Sequence, residues 1–210
     1  MTHTPQATQF LSDSEHALSH LFDAIGEYGK ILSDSQITVE KLKKSQDFLS
    51  DLFMYRDQWS PNANHHYAQY MKRTEALEKE KVEAAKGTDE KIESALLRIG
   101  STVESMSSLA AAVLQIAKQA ISLSHSGKPS LPLARKIGSQ SIIEVIWEGR
   151  NHGMHWDEGA PRAKVKAMLD ALVLDMGITI EAKTNNCLSI LGALEWKCSA
   201  DAISDLKLLV

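Results

Sequence analysis

Apolar residues recur at three- and four-residue steps over most of this chain and seldom in strict alternation, so the pattern predicts helices rather than strands. Leu18, Leu21, Phe22, Ile25 and Tyr28 set a first helix over residues 14–32, with an interruption expected near Gly26 and Gly29. Asp34 or Ser35 is placed to cap a second, in which Val39, Leu42, Phe48, Leu49, Leu52 and Phe53 turn toward a core. Ser60 and Pro61 form a good cap and first-turn pair for a third. That segment becomes polar after Met71 and is dense in Lys and Glu. Its apolar face is too small for a core helix, so it reads as a solvent-bridging helix or an arm of a long antiparallel hairpin.

Residues 87–90, Gly-Thr-Asp-Glu, read as a turn and cap. The longest periodic pattern follows, with Ile92, Leu96, Ile99, Val103, Met106, Val113, Ile116 and Ala120 as its stripe and no proline to break it. SHSGKPSLP, residues 124–132, is the clearest linker. Beyond it, LARKIGSQSIIEVIWEGRNHGMHW is expected to be helical as far as RNHGMH. Gly159-Ala160-Pro161 then restarts a helix, RAKVKAMLDALVLDM. Residues 185–210 read as a last helix, and Ile178, Thr179 and Ile180 leave room for a short extended piece. The predicted organisation has three parts. Residues 1–60 are N-terminal helices packing on a bundle, 61–125 a long helical hairpin, and 126–210 a C-terminal region continuous with the N-terminal helices.

Composition narrows this picture. With 210 residues, 43% of them hydrophobic, the chain can bury a core in one domain, or in one domain with a helical extension. Aromatics at 6% and abundant Ala, Leu, Lys and Glu favour an all-α fold. A net charge of −4 gives no global basic field, so any nucleic-acid site must be local. Cys187 and Cys198 are too few for a disulfide framework and match no zinc spacing, which leaves two half-buried thiols in a reducing compartment. The N-terminus lacks the basic flank and apolar core of a signal peptide. The longest apolar patch, SLAAAVLQIA, is short of a membrane span, so a cytoplasmic protein with no membrane partner is expected.

Candidate chemistry concentrates in RNHGMH, residues 150–155. The helix before it carries a stripe at Ile142, Val145, Ile146 and Gly149, and Arg150, four on from Ile146, continues that face. A guanidinium there must be paired, with Glu144, Glu148 or an acid of the tail, or must line a site. His155 lies five residues on, about 140° further round an unbroken helix. The two side chains converge only if the helix ends or bends between them, for which Gly153 is a candidate, or if a second chain supplies the partner. Phosphoryl transfer without metal suits such a set. Histidine serves as acid or base near neutrality, arginine offers a fork for phosphate oxygens, and asparagine orients either.

Arg150, Asn151 and His155 resemble, position by position, the R-x4-6-H motif of the HEPN superfamily, small all-helical domains that include many prokaryotic ribonucleases. The resemblance covers the motif and about eighty C-terminal residues. It implies a HEPN-like helical bundle, here with a long hairpin extension, and a symmetric homodimer whose two motif copies face each other as one composite cleft. It further implies metal-independent RNA cleavage through a 2′,3′-cyclic phosphate, with no cofactor. A role in toxin–antitoxin pairs or antiviral defence follows, with an antitoxin or defence partner protein. Arg150 would then stabilise the transition state, His155 act as acid or base, and Asn151 orient substrate or His155.

Around the motif, His152 is expected to line the cleft and Trp156 to stack on a base. Lys164 and Lys166, with Arg162, form the local basic stretch for RNA phosphates. His152 and His155 with Asp157 lack a third ligand at any familiar spacing, so no metal site is assigned. His65, His66, Tyr67 and Tyr70 read as an exposed helix start without a site. Two functions compete: an endoribonuclease, or a catalytically inactive helical adaptor or nucleotide- or RNA-binding module. The acidic net charge and the unmatched N-terminal half favour the second, whereas a positive surround of Arg150 would favour the first.

Overall fold

The computed structural model describes residues 5–58, 67–129 and 134–210. They form α1 (Pro5–Gln58), α2 (Tyr67–His125), β1 (Lys136–Ile137), β2 (Gln140–Ser141), α3 (Ile142–His155), α4 (Ala163–Met176), α5 (Cys187–Ala193) and α6 (Ser199–Leu209). The fold is predominantly helical, as the periodicity predicts.

Three of the expected helix breaks do not occur. Helix α1 runs through Gly26, Gly29 and Ser35 without interruption. The Ser35 hydroxyl donates to the Ile31 carbonyl and Thr38 to that of Asp34, both at 2.8 Å, so these hydroxyls bond back into the helix instead of capping a new one. Likewise α2 passes through Gly87, and Asp89 accepts a hydrogen bond from Gln46 at 2.7 Å rather than capping. Residues 67–125 are thus one arm, not a hairpin of their own. A helical glycine costs only about 1 kcal/mol, too little to stop a helix that continues on both sides. Ser60, Pro61, His65 and His66 lie outside the described residues, as do the side chains of Leu49, Leu52, Phe53, Tyr67 and Tyr70.

The chain divides into two compact units, Met1–Gly29 with Val103–Val210, and Lys30–Thr102. In the first, Ala7, Leu11, Leu18 and Phe22 of α1 and Ala110, Val113, Leu114, Ala117 and Ile121 of α2 join a core with α3 to α6. The stripe on α2 therefore turns inward only from Met106; Leu96 and Val103 are exposed. In the second unit Val39 is buried but Phe48 is 66% exposed, contrary to its expected inward direction. By length and composition the Ala85–His125 part of α2 is apolar enough to cross a membrane, beyond what the SLAAAVLQIA patch alone indicates, although 44% of its most apolar window is buried within the fold.

The segment before the motif is not helical throughout. Lys136–Ile137 pairs antiparallel with Gln140–Ser141 around Gly138, whose positive φ of 58° the turn requires. Strands of two residues leave no alternation to read. Ser141 then caps α3, its hydroxyl accepting from the Glu144 amide at 3.1 Å. Helix α4 ends on left-handed Gly177, whose amide donates to the Val173 carbonyl at 3.0 Å. The tail is two helices, α5 and α6, with Glu195 at a positive φ of 58° between them, and residues 178–180 form no strand.

Candidate functional site

Helix α3 carries every residue of the motif and is packed on several sides. Ile142, Ile143, Val145, Ile146, Glu148, Gly149 and His152 are buried along it. Gly149 and Gly153 let neighbours approach. A Cβ at 149 would stand 3.0 Å from Ile190 Cγ2, and one at 153 would stand 2.6 Å from Cys187 Sγ and 2.8 Å from Ala111 Cβ. Gly153 therefore serves close packing and not a bend. The helix continues to His155 and ends at Trp156.

Because α3 is one continuous helix from Ile142 to His155, Arg150 and His155 face different ways within one chain. Arg150 is half-buried toward α2, and its Nε donates to Gln115 Oε1 at 2.5 Å. The carboxylates proposed to pair with it are engaged elsewhere. Lys128, in the linker, lies 2.6 Å from Glu144 and 3.0 Å from Glu148. Burial alone would push the Lys128 ammonium down, but the hydrogen bonds it donates to these two glutamates, with their charge, prevail and hold it above the usual lysine range. Asn151 Nδ2 also donates to Glu148, at 3.1 Å, and not to His155. Among the described residues no carboxylate comes within ion-pair distance of Arg150.

His155 sits at the wall of a cleft of about 570 Å³ lined also by Asn151, His152, Trp156, Lys166 and the 180–186 loop. Its Nδ1 stands 2.6 Å from Glu158 Oε1, and the hydrogen bond from His155 holds the Glu158 carboxyl below its usual range. An imidazole bonded through Nδ1 to a carboxylate has its Nε2 available for proton transfer, the arrangement of a general acid–base histidine. Sequence reasoning passed over Glu158, although a carboxylate three residues after a helix-terminal histidine was a signal for it.

The remaining residues divide. His152 is buried, and its Nε2 accepts the Asn186 amide at 3.1 Å. Burial lowers its pKa, so it enters the fold as a neutral ring tying α3 to the start of α5. Trp156 is half-buried in the cleft wall. Lys166 lines the cleft but pairs with Asp170 at 2.6 Å, and Lys164 is exposed and outside the lining. Arg162, Lys166 and Lys183 are matched in the lining by Glu158, Asp170 and Glu181, so this cleft is close to neutral. Cys187 is fully buried, its thiol pushed up to about 12 by burial, whereas Cys198 is exposed; neither matches the half-buried expectation.

Positive charge that, among the described residues, has no carboxylate within ion-pair distance lies on the α2 side of α3. Lys118 of α2 sits half-buried over the Trp147 ring, 4.7 Å from its centroid, and no reading of the motif alone could have found it. Among the described residues no group of three or more His, Cys, Asp or Glu side chains is placed to hold a metal ion. The chain matches no family model, no curated protein and no solved structure, so the likeness to HEPN proteins rests on Arg150, Asn151 and His155 themselves.

Proposed function

We propose that this protein is a metal-independent endoribonuclease of HEPN type, acting in the cytoplasm as a toxin or defence effector held in check by a partner protein. The observation that carries the reading is the His155–Glu158 pair: a histidine oriented through Nδ1 at the wall of an open cleft. In the reaction the RNA 2′-oxygen attacks its own 3′-phosphorus and the bond to the 5′-oxygen breaks. The products are a 2′,3′-cyclic phosphate and a free 5′-hydroxyl. His155 takes the 2′-hydroxyl proton, and the proton it then carries goes to the leaving 5′-oxygen. A homodimer brings the Arg150 of one copy to the His155 of the other. Arg150, with no carboxylate within ion-pair distance among the described residues, faces the phosphorane charge.

The separate directions of Arg150 and His155 in one chain favour a second reading, a helical adaptor without catalysis. RNA cleavage in EDTA by wild type and His155→Ala decides between them. Cyclic-phosphate ends produced by wild type and lost in the folded variant are expected. No cleavage by either protein, together with a monomeric state in solution, would support the adaptor.

A further inference from the structure

Helices α2 and α3 run antiparallel along one seam. Ala111 lies beside Gly153, Leu114 beside Gly149, Gln115 bonds Arg150, and Lys118 overlies Trp147. Numbers rise on one helix as they fall on the other, so Gln115 with Lys118 and Trp147 with Arg150 occupy adjacent turns of the same edge. Two half-buried cations therefore stand side by side. Lys118 has a ring beneath it and, among the described residues, no carboxylate within ion-pair distance. Arg150 bonds Gln115 through Nε, and among the described residues its two terminal nitrogens have no hydrogen-bond or ion-pair partner. Glu148, whose charge reaches Lys118, is itself held by Lys128 and Asn151.

The electrostatics agree with that placement. Burial first, and then the charge of Arg150, push the Lys118 ammonium below its usual range against an opposite pull from Glu148. Like charges held together on partly desolvated stems are unfavourable unless an anion completes the site. A single carboxylate has two oxygens, which the arginine fork alone can fill. A tetrahedral phosphate offers oxygens to both the fork and a neighbouring ammonium.

We infer that Lys118 and Arg150 form a two-cation site for a phosphate group, and that its occupant is a backbone phosphodiester of RNA. The identity of the occupant rests on the ribonuclease reading; the anion site does not. Because His155 opens on the cleft at another face of α3, the phosphate held here is a different one from that beside the same chain's histidine. In the composite cleft it lies beside the histidine of the other copy, so the seam holds the reacting phosphodiester there.

The test is binding of a 2′-O-methyl oligoribonucleotide, which cannot be cleaved through its 2′-oxygen. Tryptophan fluorescence reads it, with Trp147→Phe assigning the signal. Lys118→Met keeps the aliphatic stem over Trp147 and removes the charge; Lys118→Gln serves as the second variant. Either is expected to weaken binding about tenfold and to reduce the slope of log affinity against log salt by about 0.7, the value for one contact to a single strand. Unchanged affinity and slope in both folded variants would overturn the inference. Inorganic phosphate should compete with the oligonucleotide in wild type. Phosphate that binds while the oligonucleotide does not would keep the anion site and overturn its RNA occupant. Lys118-dependent binding by a protein that cleaves no RNA would remove the nuclease and leave this site standing. Normal cleavage with Lys118-independent binding would do the reverse.

Discussion

Lys128 holds the buried Glu148 carboxylate at 3.0 Å, although Lys128 lies in the linker and Glu148 lies on the inward side of α3. The side chain of Glu148 is only 6% exposed, so its charge depends on this partner. Lys128→Met would leave a buried carboxylate without its cation and is expected to cost about 2–3 kcal/mol of stability. The lysine pKa is raised in the fold, so its contribution is fully present below the unfolded value of about 10.4 and is lost as pH rises through the higher folded one. Thermal melts at alkaline pH check this. Wild type should lose stability toward the variant there, and parallel profiles would refute it.

Arg150 and His155 diverge around an unbroken α3, which makes a mixing experiment decisive. Arg150→Ala and His155→Ala are each expected to be inactive. Mixed and allowed to exchange subunits, they should recover cleavage, because a heterodimer joins the His155 of one chain to the Arg150 of the other. Recovery to a quarter of wild-type activity or more would establish the composite cleft. Two inactive proteins that exchange subunits and stay inactive would exclude it.

Gly153 admits Cys187 and Ala111 where a Cβ would stand 2.6 and 2.8 Å from them. Overpacking of this kind costs about 1–3 kcal/mol, against a gain of about 1 kcal/mol from replacing a helical glycine with alanine. Gly153→Ala should therefore lower the urea midpoint, and Gly149→Ala, whose nearest contact is 3.0 Å, should lower it less. A stabilised Gly153→Ala would show that the α2, α3 and α5 contact yields easily.

His152 accepts the Asn186 amide from a buried position with its pKa lowered. A depressed folded pKa gives stability that is present above the unfolded value of about 6.5 and is lost as pH falls through the folded one. Below about pH 6.5 the loss should reach at most about 1.4 kcal/mol per pH unit. His152→Gln, whose carbonyl can accept the same amide, should flatten that acid limb in urea titrations. An unchanged limb would move the acid sensitivity elsewhere.

Much of this was written in the residues around α3. The stripe from Ile142 to Gly149 is buried as its spacing predicts, because that helix is enclosed on several sides and each step of the repeat meets a neighbour. The glycines misled. At positions 26, 29 and 87 they mark no break, because local propensity is weak against the length of helix on either side. At 153 the same residue type reports a close approach that only the fold reveals. The electrostatic surround of Arg150 was hidden for a different reason. Its nearest acids in sequence, Glu144 and Glu148, are taken by Lys128, and its cationic neighbour Lys118 comes from another helix. Pairings of that kind depend on register between helices, which one chain's periodicity does not encode.

The unit that holds the motif is discontinuous in the chain: it leaves at Gly29 and resumes at Val103. Those two ends are already neighbours, since a Cβ at Gly29 would lie 3.9 Å from the Met106 methyl carbon. Residues 30–102 therefore behave, for this unit, as one very long connection between adjacent points. Loop-closure entropy grows only logarithmically with length, so such an excursion adds little to the equilibrium cost of folding. Its effect falls on kinetics, since pairing the start of α1 with the end of α2 waits on a distant encounter. A few glycines and serines joining Gly29 to Val103 would turn that encounter into a local one and quicken the assembly of the bundle around α3.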